Sequence, residues 1–540
     1  MNQSKRTKLF VILVSLVLGA VMTVGVSAQG VEQLRMGIVG DESTLNPYTY
    51  VTGYPGWNML LLQYDTLYQL DADGVPQPWL VSAAETSDDG LTVTLDLRDD
   101  VKWHDGEPLT AHDVKFTVDY FKENPHGRFT RDLRPVESAE VDGDYRVIFT
   151  QSAPNPALEL GTFADVPILP QHIWSEIENP NEFEFDIDVN VGSGPYKLVR
   201  YEPDQFYRFE ANPDYFAGAP AINELVFVRY ADQTGELSAF QASEIDMIVE
   251  AVPPEQVGLL GAASDVEIIR GPMFATEMIN YDMERAPFNR HEVRQAMALA
   301  IDRQDIIDTV YLGTATPGNI GWTHPESVFY NSDVASEYDP DGANAMLDEA
   351  GIVDTDGDGI RELEGEPLAV ELLAASNRAL TIRMAELVRE MLLDIGMDVQ
   401  VMVVEQSTWE EAVWPGFDVN QGRNYDMSMW GWSPPVQANP VRISSLIHSD
   451  PAIGTLNLTG YKNETIDALA EELNVTVDPD RQIELFHEIQ AIIAEDLPFI
   501  ILNYPDGVFA NRPAVYGDWV FMTGQGPFHK VSFLPGGARP

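Results

Sequence analysis

Residues 368–403 read LAVELLAASNRALTIRMAELVREMLLDIGMDVQVMV. Leu368 to Leu373 is an apolar, strand-like run. Leu380, Met384, Leu387, Val388, Met391, Leu392 and Ile395 then recur at the 3.6-residue spacing of an amphipathic helix, and Gly396 supplies its stop. Met397, Val399, Val401 and Val403 alternate as a second strand. Strand, helix and strand in so short a span make a βαβ unit, which demands parallel strands and a right-handed crossover. The C-terminal half of the chain is therefore expected to be α/β.

Moving outward, Ile483, Phe486, Ile489, Ile492 and Ile493 form the buried stripe of a second long helix that starts near Asp480, and Pro498 follows its end. At the other end of the chain a short strand, Leu34 to Val39, leads into a loop crowded with Tyr48, Tyr50, Tyr54 and Trp57. Residues 60–190 are β-rich. Leu91, Val93, Leu95 and Leu97 alternate with Thr92, Thr94 and Asp96 after the turn Ser87-Asp88-Asp89-Gly90. Thr110 to Asp113 has the form of a capping box ahead of a helix, Val114 to Phe121, and Tyr145 to Thr150 is another strand. That mixture predicts one small α+β domain.

The chain has 540 residues, 86 of them acidic and 32 basic, for a formal charge of −54, and it has no cysteine. Disulfide scaffolds, thiolate metal sites and a Cys nucleophile are thereby excluded. The acidic balance argues against nucleic-acid binding. A hydrophobic share of 44% argues for a packed core rather than disorder. The basic residues are 8 Lys and 24 Arg, and acid excess with little Lys fits either adaptation to salt or plain solubility. Lys5, Arg6 and Lys8 precede the apolar run Leu9 to Val24, and Val26-Ser27-Ala28 has a cleavage-site pattern. Residues 1–28 thus read as a secretory signal peptide, and the mature charge becomes −57. The expected product is soluble, periplasmic or extracellular, with no cysteine to carry a lipid anchor.

Motifs for catalysis are broken. His291-Glu292 and His487-Glu488 begin like H-E-x-x-H, but the second His is Gln295 in one and Ala491 in the other. Val191-Gly192-Ser193-Gly194 reads as a tight turn before a strand at Tyr196. Asp354-Thr355-Asp356-Gly357-Asp358-Gly359-Ile360 follows the first half of an EF-hand loop, with Asp354, Asp356 and Asp358 as oxygen donors for a structural calcium. Position 12 is Gly365, so Glu362, Glu364 or Glu366 would have to stand in; a plain polar hairpin is the other reading. Ten Trp is a high count. Trp430-Gly431-Trp432 follows a strand expected over Tyr425 to Met429, where the carboxyl edge of an α/β sheet binds ligands. Trp79, Trp174 and Trp519 read as core.

Several blocks then fall in one order. They are Leu97-Arg98, Val101 to Gly106 (VKWHDG), Leu109 to Val114 (LTAHDV), Ile168 to Trp174 (ILPQHIW), Gly192 to Tyr196 (GSGPY), Asn212 to Phe216 (NPDYF), Glu244-Ile245-Asp246, Val293 to Ala296 (VRQA) and Ala300 to Arg303 (AIDR). Together they resemble the family 5 solute-binding proteins of ABC transporters, the oligopeptide, dipeptide and nickel-binding group. The resemblance implies a type II periplasmic-binding-protein fold: two α/β lobes joined by crossing segments, plus an extra α+β domain. Lobe I would combine 31–59, 191–272 and 505–540, the extra domain II would be 60–190, and lobe III would be 273–504. Hinges would lie near Gly271-Pro272 and Asn503-Tyr504-Pro505. It further implies a monomeric receptor, not an enzyme, that captures a peptide or oligosaccharide by cleft closure and delivers it to a permease. A chaperone or sensor receptor without a permease is the alternative.

In peptide-binding members an Asp in the loop after the Trp-bearing strand pairs with the peptide α-amine. Here that loop, Ser433 to Pro440, holds no carboxylate, and Asn439 lies near the expected position. Oligosaccharide-binding members use Trp stacking and amide side chains. The candidate ligand contacts are Tyr54, Trp57, Phe274, Trp430, Trp432 and Asn439.

Overall fold

The computed structural model describes residues 31–536 apart from 44, 51, 52, 127 and 184–186. The expected signal segment lies outside the described residues.

The strand Phe499–Asn511 is the axis of the molecule. It sits in the middle of a 12-stranded sheet. On one side the order runs through Glu277–Tyr281, Met427–Trp430 and Ala369–Ala375 to the outer strand Asp398–Val404. On the other it runs through Met247–Ile248, Val31–Val39, Ile222–Tyr230 and Phe206–Ala211 to Tyr196–Glu202. Two further strands, Glu267–Pro272 and Ala315–Pro317, also pair with Phe499–Asn511.

The βαβ unit appears as expected. Ala369–Ala375 and Asp398–Val404 are parallel neighbours joined by the helix Ala379–Leu393, and Gly396 adopts φ 78° just beyond it. Only a residue without Cβ takes that conformation cheaply. The helix buries Met384, Ala385, Val388 and Leu392 against the sheet. The alternation expected through Val403 fades: Val399 is buried, whereas Val403 is 49% exposed. Its strand is the outermost of the sheet, with a neighbour on one side only. The Trp-bearing strand is Met427–Trp430, two residues later at its start than expected.

Residues 81–151 contribute a separate antiparallel sheet, ordered Val81–Thr86, Thr92–Leu97, Arg146–Gln151, Val136–Val141. The helix Ala111–Glu123 covers it and carries the expected capping box, with Thr110 N donating to Asp113 Oδ2 at 2.8 Å. Its apolar residues share one core with Leu34, Met36 and the strands from Tyr196 to Tyr230. Asp65 fixes this junction. It is 0% exposed and accepts from Trp79 Nε1 (3.0 Å), Tyr215 OH (2.7 Å), Ser193 Oγ (2.9 Å) and Lys530 Nζ (2.7 Å), the last only 2% exposed.

The Gly192-Ser193-Gly194 turn runs hard against residues 62–63. Gly194 N donates to Gln63 O at 2.7 Å, and a Cβ on Gly192 would overlap that same carbonyl oxygen. Gly192→Ala is expected to cost about 1–3 kcal/mol by overpacking. Chemical denaturation checks this, and a midpoint equal to wild type would refute it.

Candidate functional site

The registers place the cleft. In one lobe Val31–Val39, Met247–Ile248 and Ile222–Tyr230 run parallel. Met247 pairs with Asn511 and Ile248 with Ala510 on an antiparallel strand, so their carboxyl ends point back along it toward residues 505–508. In the other lobe Ala369–Ala375, Asp398–Val404 and Met427–Trp430 also run parallel. Trp430 pairs with Met278, which pairs with Ile501, so these carboxyl ends point at the same stretch from the opposite side. Carboxyl edges of α/β sheets hold the loops that bind ligands. Here the two edges face each other across the crossing, and Pro272 against Asp506 and Glu277 against Asn503 mark where the chain passes between the lobes.

On the lobe III wall, Trp430 stacks on Trp409 with ring centroids 4.5 Å apart. The Arg378 guanidinium lies 4.9 Å from the Trp430 ring and pairs with Glu277 at 2.5 Å. Trp432 is bolted to the crossing segment: its N–H donates to Thr276 Oγ1 and its carbonyl accepts from Thr276 N, both at 3.0 Å. Gly431 is required between the two indoles, because a Cβ there would overlap Thr276 O. Asn439 is buried and caps the following turn, accepting from Val441 N at 3.2 Å. Gln437 is held at both ends, to Trp322 O (2.8 Å) and from His324 N (3.0 Å). The amides of this loop therefore shape it from within.

Phe274 lies just past the first crossing at φ 55°. Its ring is 4.9 Å from His324, which is 5.0 Å from Tyr504 of the second crossing. Burial pushes His324 down to about 4, so the ring that joins the two crossings is neutral near pH 7.

On the lobe I wall, Tyr54 donates its hydroxyl to Val249 O and makes edge contacts with Phe509 and Phe528. Trp57 is 6% exposed, with the Arg128 guanidinium 3.8 Å from its ring and Tyr50 stacked beside it. Tyr54 and Trp57 thus lie on one side of the crossing and Trp430, Trp432 and Asn439 on the other, with Phe274 between. Sequence reasoning missed Arg378, Glu277 and His324, whose partners lie far away in the chain, and Glu236 and Glu250, which separate elements bring together.

The walls also touch directly. Arg442 pairs with Asp132 at 3.0 Å, linking lobe III to residues 60–190, and Arg383 approaches Glu255 at 3.8 Å. The first pair is largely shielded and stabilises the approach of the two sides by roughly 1 kcal/mol. Arg442→Gln is expected to weaken ligand binding about fivefold. Isothermal titration measures it, and an unchanged Kd would contradict the assignment.

The acidic loop sits on the opposite edge of lobe III, ahead of the strand Ala369–Ala375. Ligand atoms of Asp354, Asp356 and Glu362 lie within 4.8 Å of one another and could hold a divalent cation. Glu362 is one of the three residues expected to stand in for position 12. Asp358, expected as a third donor, is outside this group. Its carboxylate accepts from the Ile360 amide at 2.8 Å, as Asp354 accepts from Gly357 N and Gly359 N and Asp356 from Asp358 N. Residues 362–363 and 366–367 then form the hairpin of the other reading.

No helix among the described residues is long and apolar enough to cross a membrane. The model of bacterial extracellular solute-binding proteins, family 5, matches residues 75–452. The oligopeptide-binding protein AppA of Bacillus subtilis is 27% identical over 486 residues, covering 88% of this chain and 87% of the relative. The nickel-binding periplasmic protein of Escherichia coli is 29% identical over 384 residues, covering 67% and 70%. Among solved structures, AppA of Bacillus subtilis with a nonapeptide superposes with TM-score 0.72 at 27% identity, covering 90% of this chain and 95% of that one. NikA of Brucella suis with Fe(III)-EDTA superposes with TM-score 0.80 at 25% identity, covering 93% and 99%. These matches give the fold as that of the type II periplasmic binding proteins. The chain belongs to the bacterial extracellular solute-binding proteins of family 5.

Proposed function

We propose that this substrate-binding protein of an ABC importer captures peptides and hands them to a membrane permease. One observation carries the choice of peptide over oligosaccharide: the indole faces that would stack on sugar rings already have partners. Trp57 has Arg128 over its ring, and Trp430 has Trp409 and Arg378. A peptide instead uses backbone hydrogen bonds, which loops at two facing sheet edges supply regardless of side-chain sequence. The named function of AppA, which is similar over most of its length, supports the same reading. Thermal shift with a synthetic tripeptide-to-nonapeptide library and a panel of oligosaccharides tests it. Stabilisation by peptides alone is expected. Stabilisation by the sugars and not by the peptides would reverse the assignment.

A further inference from the structure

At the carboxyl edge of lobe I, three carboxylates gather without a cation. Glu250 stands two residues beyond the strand Met247–Ile248, and its Oε1 accepts from Val39 N at 2.8 Å. Glu236, in the first turn of the helix Gln233–Gln241, is 0% exposed and lies over Gly37, against Glu250. Neither oxygen of Glu236, nor Glu250 Oε2, has a protein donor. Glu42 is close by and accepts from the Tyr50 hydroxyl. The other titratable groups facing the pair are Tyr54, whose hydroxyl is spent on Val249 O, Tyr230 at the end of its strand, and Asp41 beside Glu42. Among the described residues, no Lys, Arg or His is within ion-pairing distance of Glu42, Glu236 or Glu250.

Two buried carboxylates in contact, offered one backbone donor and no cation, cannot both carry charge. A single shared proton turns their repulsion into an O–H···O bond. Burial raises both above the ordinary carboxylate range, with the Glu250 charge adding to the rise of Glu236 and the Glu42 charge to that of Glu250.

The pair is also a fastening. Glu250 holds Val39, where the first strand enters the Gly40–Trp57 loop, and Tyr54 of that loop is tied back to Val249. We propose that Glu236 and Glu250 form a proton-dependent clasp for the lobe I wall of the cleft. With one proton shared between them the Gly40–Trp57 loop is held in place. Loss of that proton at alkaline pH drives the carboxylates apart and loosens the loop. The role given to the loop rests on the receptor reading. The test needs no ligand, so its failure would leave that reading standing.

Hydrogen exchange of the full-length mature protein, followed by mass spectrometry at pH 6 and pH 9 and corrected for intrinsic exchange, is the experiment. Protection over residues 40–57 and 249–252 is expected to fall about tenfold in wild type between these conditions. In Glu236→Gln, whose amide donates to Glu250 at every pH, protection is expected to stay level. A protonated-carboxyl infrared band at neutral pH should be present in wild type and missing in Glu236→Gln. No fall in wild type, the same fall in Glu236→Gln, or no such band would each overturn the clasp.

Discussion

Lys530→Met is expected to cost about 3–5 kcal/mol of stability. The ammonium and the Asp65 carboxylate are both out of water, and Nζ also donates to Tyr64 O at 2.9 Å. Burial lowers the Lys530 pKa, and the Asp65 charge opposes that effect. Methionine fills the volume but leaves Asp65 charged and buried, with only Trp79, Tyr215 and Ser193 as donors. Removing one partner of such a pair is far worse than removing both. Asp65→Asn combined with Lys530→Met should therefore recover part of the loss. Urea unfolding gives the numbers, with the slope m unchanged if both states keep their extent. A loss below about 1 kcal/mol would mean that the junction of residues 60–190 with lobe I does not depend on this ion pair.

Trp409→Ala is expected to remove about 3–5 kcal/mol as well, and ligand binding with it. The indole is 1% exposed and packs in the core of lobe III with Val413, Tyr425 and Trp432. Its truncation opens a cavity under Trp430. That ring positions Arg378, whose partner Glu277 begins the strand after the first crossing. One substitution thus undermines a stack that reaches from the core to the crossing. Trp409→Phe keeps an aromatic surface for Trp430 and should cost clearly less. Calorimetric titration with the peptide selected above, beside thermal unfolding, separates the effects. Binding retained by a Trp409→Ala protein still folded under assay conditions would show that the stack does not shape the cleft.

The architecture was legible where the sequence is periodic. The helix Ala379–Leu393 and its two strands follow from apolar spacing alone, and the capping box at Thr110 signalled the next helix, which starts at Ala111, three residues ahead of the expected Val114. Glycine turns were legible as turns, but not their cause: Gly192 is small because a distant carbonyl lies against it. The cleft was only half legible. Aromatic residues were the sequence's pointer to it, and they lie on both sides of the crossing. It also shows their faces and the Asn439 amide engaged by protein partners. Glu277 with Arg378, or Glu236 with Glu250, could not be read at all. Their partners are set by tertiary register, and neither residue type nor local spacing records that. In the acidic loop the spacing could not show that Glu362, rather than Asp358, lies beside Asp354 and Asp356.

The shared strand Phe499–Asn511 has a consequence for biosynthesis. Both halves of the great sheet pair along this single ribbon, and it leaves the ribosome after 498 earlier residues. Until then Glu277–Tyr281 and Met247–Ile248 each present an unpaired margin, prone to wrong partners and unable to close the native order. The nascent chain therefore lacks its central seam until residues 499–511 have emerged. Truncation just before residue 499 should leave a chain with two raw sheet edges rather than one intact lobe.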